Sequence, residues 1–566
     1  MLEIQKNFAS YLESLGALLA DTAISADARL LPRVLQTELV VPVIGSFSAG
    51  KSSLLNTLIG QSILPVGLAP ETELATELRY SPEPYLLAIR GDGTEERLHV
   101  EALGSINERA REFSHLQLYI DSPALKRIAP LVLVDMPGYG SSLESHNKAI
   151  AFYLPRGVHF VVVTSIEDGN LTQSMIRRLD EVKAFGGDFT FVLSKCNLRD
   201  SGQVETVRSY IDEQLLAYFG EGHRILPVGK EASEQLAEAL GRIDPERLFC
   251  DLFLDTLKTQ SHDLVRQVNL AMGALKKDTN QSARELQDLE QALLALQQQK
   301  ENARQELGER YAVRLLNRCL RGVEKDLSTA VDELATLATG PNRSALNNAI
   351  SEVIRSSLTR NIKEEIDDIS DSLIDDLSSS LSQAGAQLSD LASAQSLADD
   401  ISARVRSSLN QTNQALTTWS AKLEEQQDAS ERLARLYKGV SVVLAVTTSV
   451  ITPVLELVII FLPEIVRFFN AGQERQNIMN KLHVEVIPGI KAEMRNRLPS
   501  ILDEQLKLVL DQVNASFEAQ ITQQHEILTT YQQRREASQA DTDARVAVLD
   551  ELCSSLKALA TQYLYA

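Results

Sequence analysis

Gly45-Ser46-Phe47-Ser48-Ala49-Gly50-Lys51-Ser52-Ser53 places two glycines five residues apart, a lysine directly after the second, and serines on both sides. These residue types at this spacing suit a chain of phosphates. Gly45 and Gly50 let the backbone wrap the polyanion with its N–H groups, Lys51 meets the outer phosphates as a point charge, and the Ser52 hydroxyl is a ligand for Mg²⁺. The pattern is G-x-x-x-x-G-K-S. It is expected to work only between a strand and a helix, because the helix N-terminus supplies part of the anion site.

Three further elements follow in chain order. Leu131-Val132-Leu133-Val134-Asp135-Met136-Pro137-Gly138 is an apolar run ending in D-x-P-G. Asp135 at the end of such a strand can hold Mg²⁺ through water, and the Gly138 N–H can contact the terminal phosphate. Between the two motifs lies Pro65-Val66-Gly67-Leu68-Ala69-Pro70-Glu71-Thr72-Glu73. Thr72, 21 residues beyond Lys51, is the candidate for a second Mg²⁺ ligand, with Thr76 the alternative. Last, Ser194-Lys195-Cys196-Asn197 stands where GTPases usually show Asn/Thr-Lys-x-Asp. The Lys195 stem can pack over a base, but Asn197 replaces the carboxylate that accepts from guanine N1–H and N2–H₂. An amide offers one oxygen acceptor and no charge, so selectivity against adenine is expected to fall. The loop Pro227-Val228-Gly229-Lys230 is placed to close over the base. The motif order favours guanine, with ATP the alternative.

The elements that must position these residues are legible as apolar runs. Leu39–Ile44, Leu131–Val134, Phe160–Thr164 and Phe189–Ser194 are short and continuously apolar, each followed by a helix-like stretch, as for parallel strands buried on both faces. Leu86–Arg90 and Arg97–Val100 flank Gly91-Asp92-Gly93 and predict an antiparallel edge hairpin. Twelve of the 17 prolines lie at or before Pro245. Beyond it the texture becomes helical. Leu286, Leu289, Leu293, Leu296, Ala303, Leu307 and Tyr311 form one seam, and Ile362, Ile366, Ile369, Leu373 and Leu377 another. Gly340-Pro341 is the expected turn between those two helices. The fold class expected is an α/β P-loop domain with a mixed, mostly parallel sheet at residues 36–245, followed by a long all-α neck and stalk at 246–566. Residues 1–35 are expected to form an amphipathic helix.

Composition narrows the function. A formal net charge of −21 opposes nucleic acid as a partner, since phosphate backbones would be repelled. Cys196, Cys250, Cys319 and Cys553 are scattered without metal-ligand spacing and read as reduced thiols. The N-terminal stretch carries internal charges and no basic-then-apolar leader, so a cytoplasmic location is expected.

Gly439–Leu462 contains one charge, Glu456, in 24 residues, with Arg432, Arg435 and Lys438 before it and Arg467, Arg475 and Lys481 after it. Three readings stay open: a span, a hairpin broken at Pro453 that dips into one leaflet, and a pair of helices buried by the stalk. The hairpin reading makes residues 438–470 a lipid-binding tip. There Val443, Leu444, Val446, Val450, Ile451, Leu455, Val458, Ile459 and Phe461 would meet lipid.

The loop GSFSAGKSSLLNTLIG, the ILPVGLAPET segment, DMPG, Tyr119-Ile120-Asp121-Ser122-Pro123 and the helical remainder with its apolar tip together resemble the dynamin superfamily, and most of all its bacterial dynamin-like members. The resemblance is sharp over residues 39–140 and architectural beyond about 250. It implies a GTPase head with Mg²⁺, a helical neck and trunk with the helix at residues 1–35 packed on the neck, and a lipid-binding tip. It further implies heads that associate with one another across the nucleotide, and a monovalent cation near Ser48 doing the work of an arginine finger. By the same resemblance, Thr72 and backbone groups orient the attacking water. Asn197 for Asp, Ser194 for Asn/Thr, and Phe47 where eukaryotic dynamins carry Gln are the departures. A soluble switch whose stalk binds protein partners is the competing reading.

Overall fold

The chain is described from a computed structural model, which covers residues 1–46, 49–66, 74–90, 93–138, 149–150, 152–185, 187–220, 225–229, 233–276, 311–339, 343–386, 405, 475–537 and 542–565. Phe47, Ser48, Thr72, Lys230, the seam from Leu286 to Leu307 and the whole apolar segment Gly439–Leu462 lie outside the described residues. Among the described residues no helix is long and apolar enough to cross a membrane.

The continuous apolar runs have no polar face to give to water, so both of their faces must be covered. They form the centre of a nine-stranded sheet. The strands are β1 (Leu39–Gly45), β2 (Thr76–Tyr80), β3 (Tyr85–Arg90), β4 (Glu95–Leu98), β5 (Phe113–Ile120), β6 (Leu131–Asp135), β7 (His159–Ser165), β8 (Asp188–Ser194) and β9 (Ile225–Pro227). Their order is β4-β3-β5-β2-β6-β1-β7-β8-β9. From β6 to β9 every pairing is parallel, while β2 runs antiparallel to β6 and the β3–β4 hairpin closes one edge, as the Gly91-Asp92-Gly93 signal predicted. All five residues of β6 and all seven of β7 are buried.

Helices α3 (Lys51–Ile59), α4 (Pro123–Ile128) and α7 (Ser233–Gly241) pack together on one side. On the other, α5 (Gln173–Ala184) and α6 (Ser201–Phe219) bring Leu179, Val182, Ile211 and Leu215 into a second core with Val162 and Phe191. Strand β1 is the point where the order reverses, since both its neighbours come later in the chain. The crevice beyond the carboxyl end of such a strand is where this architecture binds ligands.

The N-terminal segment differs from the single helix expected. It is two helices, α1 (Glu3–Leu19) and α2 (Leu30–Gln36). The Thr22 hydroxyl donates to Leu19 O and accepts from Ile24 N, which closes α1, and Gln5 Nε2 donates to Val34 O at 2.8 Å, which holds α2 back against it. Helix α8 (Pro245–Lys276) leaves the sheet domain with Asp244 as its cap, accepting from Glu246 N and Arg247 N. Its Glu246 carboxylate in turn accepts from Glu3 N and Ile4 N, two donors of α1 that the helix itself cannot satisfy. The C-terminal helix α14 (Thr542–Leu564) lies along α8 and α1, with Tyr563 against Tyr11 at 6.4 Å between ring centres.

Beyond this neck, α9 (Ala312–Thr329), α10 (Val331–Thr339), α11 (Arg343–Ala386), α12 (Arg475–Lys481) and α13 (Ile487–Ala537) form the stalk. Ile362, Ile366, Ile369 and Leu373 on α11 are buried as their spacing predicted, and α9 and α11 pack side by side. With 51 residues, α13 runs for about 75 Å and touches both stalk and neck helices. The break between α9 and α10 at Ala330 was not foreseen from the sequence.

Candidate nucleotide-binding site

Gly45 ends β1, and Lys51 opens α3, so the phosphate-loop motif occupies the strand-to-helix turn that its chemistry requires. Gly50 has φ +82°, a left-handed conformation that favours glycine. Gly45 is required for a different reason. A Cβ there would lie 2.2 Å from the Val163 carbonyl oxygen of β7, closer than any real contact allows.

Lys51 is buried and donates to Gly45 O and Ser46 O, both at 3.0 Å, so its ammonium sits inside the curl of the loop. Burial pulls its pKa down to about 8, against the attraction of Asp135. Asp135, at the end of β6, is fully buried, and burial pushes its pKa up to about 6, while the Ser52 hydrogen bond and Lys51 act in the other direction. The Ser52 hydroxyl donates to Asp135 Oδ2 at 2.7 Å. Asp135 Oδ1 is buried without a hydrogen-bond partner among the described residues. A hydroxyl and a carboxylate converging beside the phosphate loop, with one carboxylate oxygen orphaned, fit a hard divalent cation. Ser52 and Asp135 are the residues that would hold Mg²⁺. Met136, Pro137 and Gly138 follow directly, placing the D-x-P-G turn at the same end of the sheet as the loop.

The base-reading element is divided. Ser194 is not open to a ligand: its hydroxyl is buried, 2.6 Å from Ala49 O and 3.0 Å from Thr164 O. It ties β8 to the phosphate loop. Lys195 is the one non-glycine residue with positive φ, 57°, among the described residues, and its ammonium meets Glu167 Oε2 at 2.9 Å. Asn197 is exposed, and the Pro227–Gly229 loop comes alongside it, with the Cys196 N–H donating to Val228 O. A Cβ on Gly229 would lie 3.6 Å from the Asn197 Cβ. Sequence reasoning passed over Glu167. Its signal was position alone, two residues beyond the strand that neighbours β8.

Behind the site, Thr76 of β2 pairs with Asp135. The adjacent Glu77 is buried and accepts from Tyr153 at 2.9 Å and Arg79 at 2.7 Å. His115 of β5 lies beside it, Nε2 3.7 Å from Glu77 Oε1, with Nδ1 2.6 Å from the Ser114 hydroxyl.

Fold and site define a P-loop GTPase domain. Residues 41–196 match the family model described as the Dynamin family. The chain is 28% identical over 209 residues to Dynamin-like protein 2 of Campylobacter jejuni, covering 36% of this chain and 33% of the relative. Over 210 residues it is 27% identical to the probable transmembrane GTPase FZO-like, chloroplastic, of Arabidopsis thaliana, covering 36% of this chain and 21% of that one. The chain thus spans a third or less of the length of these two relatives. A solved structure described as an oligomerised bacterial dynamin pair, linked to long-range sensing and tethering of membranes, aligns over 97% of this chain and 95% of its own, at 16% identity and a TM-score of 0.31.

Proposed function

We propose that the chain binds GTP with Mg²⁺ and hydrolyses it, and that hydrolysis gates association of the heads and an action on membranes through residues 438–470. The observation that carries the nucleotide part is the Ser52–Asp135 contact at 2.7 Å beside the buried Lys51, with Asp135 Oδ1 left for a cation. In this reading Lys51 leaves the Gly45 and Ser46 carbonyls for the outer phosphates, and the loop N–H groups fix the leaving oxygens. The Gly138 N–H and Thr72 bracket the terminal phosphate, and Ser48 helps hold a monovalent cation. Mg²⁺ held by Ser52, Asp135 and Thr72 would supply charge neutralisation on the phosphates as negative charge shifts toward the leaving group. Catalysis here is positioning plus electrostatics, so an ordered loop matters more than any acid or base.

The accompanying division is a head at residues 36–245, a neck and stalk at 246–566, and residues 1–35 joined to the neck. The Dynamin-family match supports self-association and membrane work as class expectations, with a cytoplasmic, peripherally membrane-bound location. The competing reading keeps the switch but gives the stalk protein partners in place of lipid.

Hydrolysis of GTP and ATP, each with and without anionic phospholipid vesicles, tests both parts. The expected result is GTP turnover that rises with vesicles and vanishes in Lys51→Ala. Equal turnover in wild type and Lys51→Ala ends the enzymatic reading. Failure to co-sediment with vesicles in either nucleotide condition ends the membrane reading alone.

A further inference from the structure

Guanine presents two adjacent donors, N1–H and N2–H₂, and strong selection for it calls for a two-oxygen, ionised acceptor. The residue at the usual position here is Asn197, whose amide has a single acceptor. Three carboxylates lie near it in the chain or on the neighbouring strand exit: Glu167, Asp168 and Asp200. Two are occupied. Asp168 Oδ2 accepts from the Thr164 hydroxyl at 3.2 Å and Ser165 N at 3.3 Å, which turns it back onto its own loop. Asp200 caps α6, accepting from Gly202 N and Gln203 N at 3.0 Å.

Glu167 is different. Its loop is pinned to the base loop by the Ile166 N–H donating to Ser194 O at 3.0 Å. Its side chain is 51% exposed, and Oε2 contacts Lys195 at 2.9 Å with Ser165 Oγ at 3.4 Å, while Oε1 has no partner among the described residues. The hydrogen bond and charge of Lys195, with a further contribution from Arg199 two residues past Asn197, hold its pKa below the usual carboxylate range. It is therefore ionised at neutral pH, in contact with Lys195 of the base loop. Lys195 in its left-handed backbone conformation is a strained residue of the kind that clusters at ligand sites.

We propose that Glu167 supplies the guanine-reading carboxylate that position 197 lacks, acting beside Asn197 as a specificity-determining residue. The inference rests on the GTP-binding reading above. Asn197 alone would suit xanthine at least as well: its oxygen accepts N1–H, and its NH₂ donates to the carbonyl that replaces guanine's amino group. A carboxylate reverses that preference, because it accepts from both guanine donors and repels the xanthine oxygen.

The test is equilibrium binding of GTP, inosine triphosphate and xanthosine triphosphate, with Mg²⁺, to the full chain and to Glu167→Gln and Asn197→Asp. Wild type is expected to prefer GTP over inosine triphosphate, which lacks the amino group, by about tenfold or more. Glu167→Gln is expected to collapse that ratio toward one and to raise xanthosine triphosphate relative to GTP. Asn197→Asp is expected to keep guanine preference high with or without Glu167. A structural role for the Glu167–Lys195 pair would weaken all three nucleotides alike and leave the ratios fixed, which overturns the proposal. So does a wild-type chain that favours xanthosine triphosphate. Binding of none of the three would instead remove the GTP reading and this inference with it.

Discussion

Arg355 on the stalk helix α11 donates to Glu181 on the head helix α5 at 2.9 Å, and each side chain is only 2% exposed. The pair is the centre of a cluster. Arg178 reaches Glu181 at 2.7 Å and Glu352 at 3.2 Å, Ser174 donates to Glu352 at 2.7 Å, and Arg177 meets Glu333 of α10 at 3.1 Å. Met175, Leu179 and Val182 on the same helix go into the sheet-side core, so α5 is covered on two sides, one apolar and one ionic. Charges buried this way hold a contact only while all partners stay in place.

Arg355→Ala removes one of the two cations on the buried Glu181, with Arg178 still in place, and the lost charged hydrogen bond is expected to cost about 1.5–3 kcal/mol. Chemical denaturation checks the size. A double-mutant cycle with Glu181→Gln should show coupling above about 1 kcal/mol. A loss within about 0.5 kcal/mol, the range of surface changes, would mean the pair is solvated in solution.

Ser194→Ala is expected to loosen the phosphate loop without touching the ligand. The lost buried hydrogen bond to Ala49 O is worth about 1–3 kcal/mol. If about 1.4 kcal/mol of that is felt at the loop, nucleotide affinity falls roughly tenfold. Ser194→Thr keeps the hydroxyl and should restore binding. Wild-type affinity in the alanine variant would show that the loop holds its shape unaided.

His115 gives an acid-sensitive contribution with a definite sign. Burial, against the pull of Glu77 and with Arg156 and Arg79 nearby, lowers its pKa from 6.5 to about 4. Between those values the unfolded chain binds the proton and the folded chain does not, so stability falls as pH drops from about 6.5 to 4 and is unaffected by this group above that window. The full window is worth on the order of 3 kcal/mol. Asp135, whose raised pKa runs the opposite way, sets a background common to wild type and variant. His115→Gln should therefore flatten the difference curve measured by denaturation at pH 7, 5.5 and 4. Parallel curves would contradict the burial of a neutral ring.

The sheet and the phosphate loop were legible because their sequence signals are local. Leu131–Val134 is apolar throughout because both faces are covered, and Gly45, Gly50, Lys51 and Ser52 carry their spacing with them. The hairpin edge was readable from its glycines. The ionic contact between α5 and α11 was not, since Arg178, Glu181, Glu352 and Arg355 look like solvent-facing helix residues, and only tertiary packing removes their water. A hint was available in Arg178 and Glu181, three apart on a helix whose other residues include Met175, Ile176, Leu179 and Val182. The interruption of the N-terminal segment at Leu19 was hidden as well, because apolar residues continue through Ile24 and only the Thr22 side chain and the return of α2 onto Gln5 stop the helix. Ser194 was read as a base contact from its motif position, but its reach to Ala49 O depends on how β8 is placed beside β7 and the loop, which one strand cannot reveal.

The neck joins residues 3–19, 245–276 and 542–564, three stretches hundreds of residues apart in sequence. During synthesis the sheet domain can therefore be complete while the helix that carries it still lacks a flank. Tyr11, Phe8 and the apolar side of α8 wait for Leu549, Leu556 and Tyr563, which are synthesised more than 250 residues after α8. A chain cut short before α14 would leave that oily strip uncovered beneath an intact nucleotide fold, a product apt to clump although its pocket is whole.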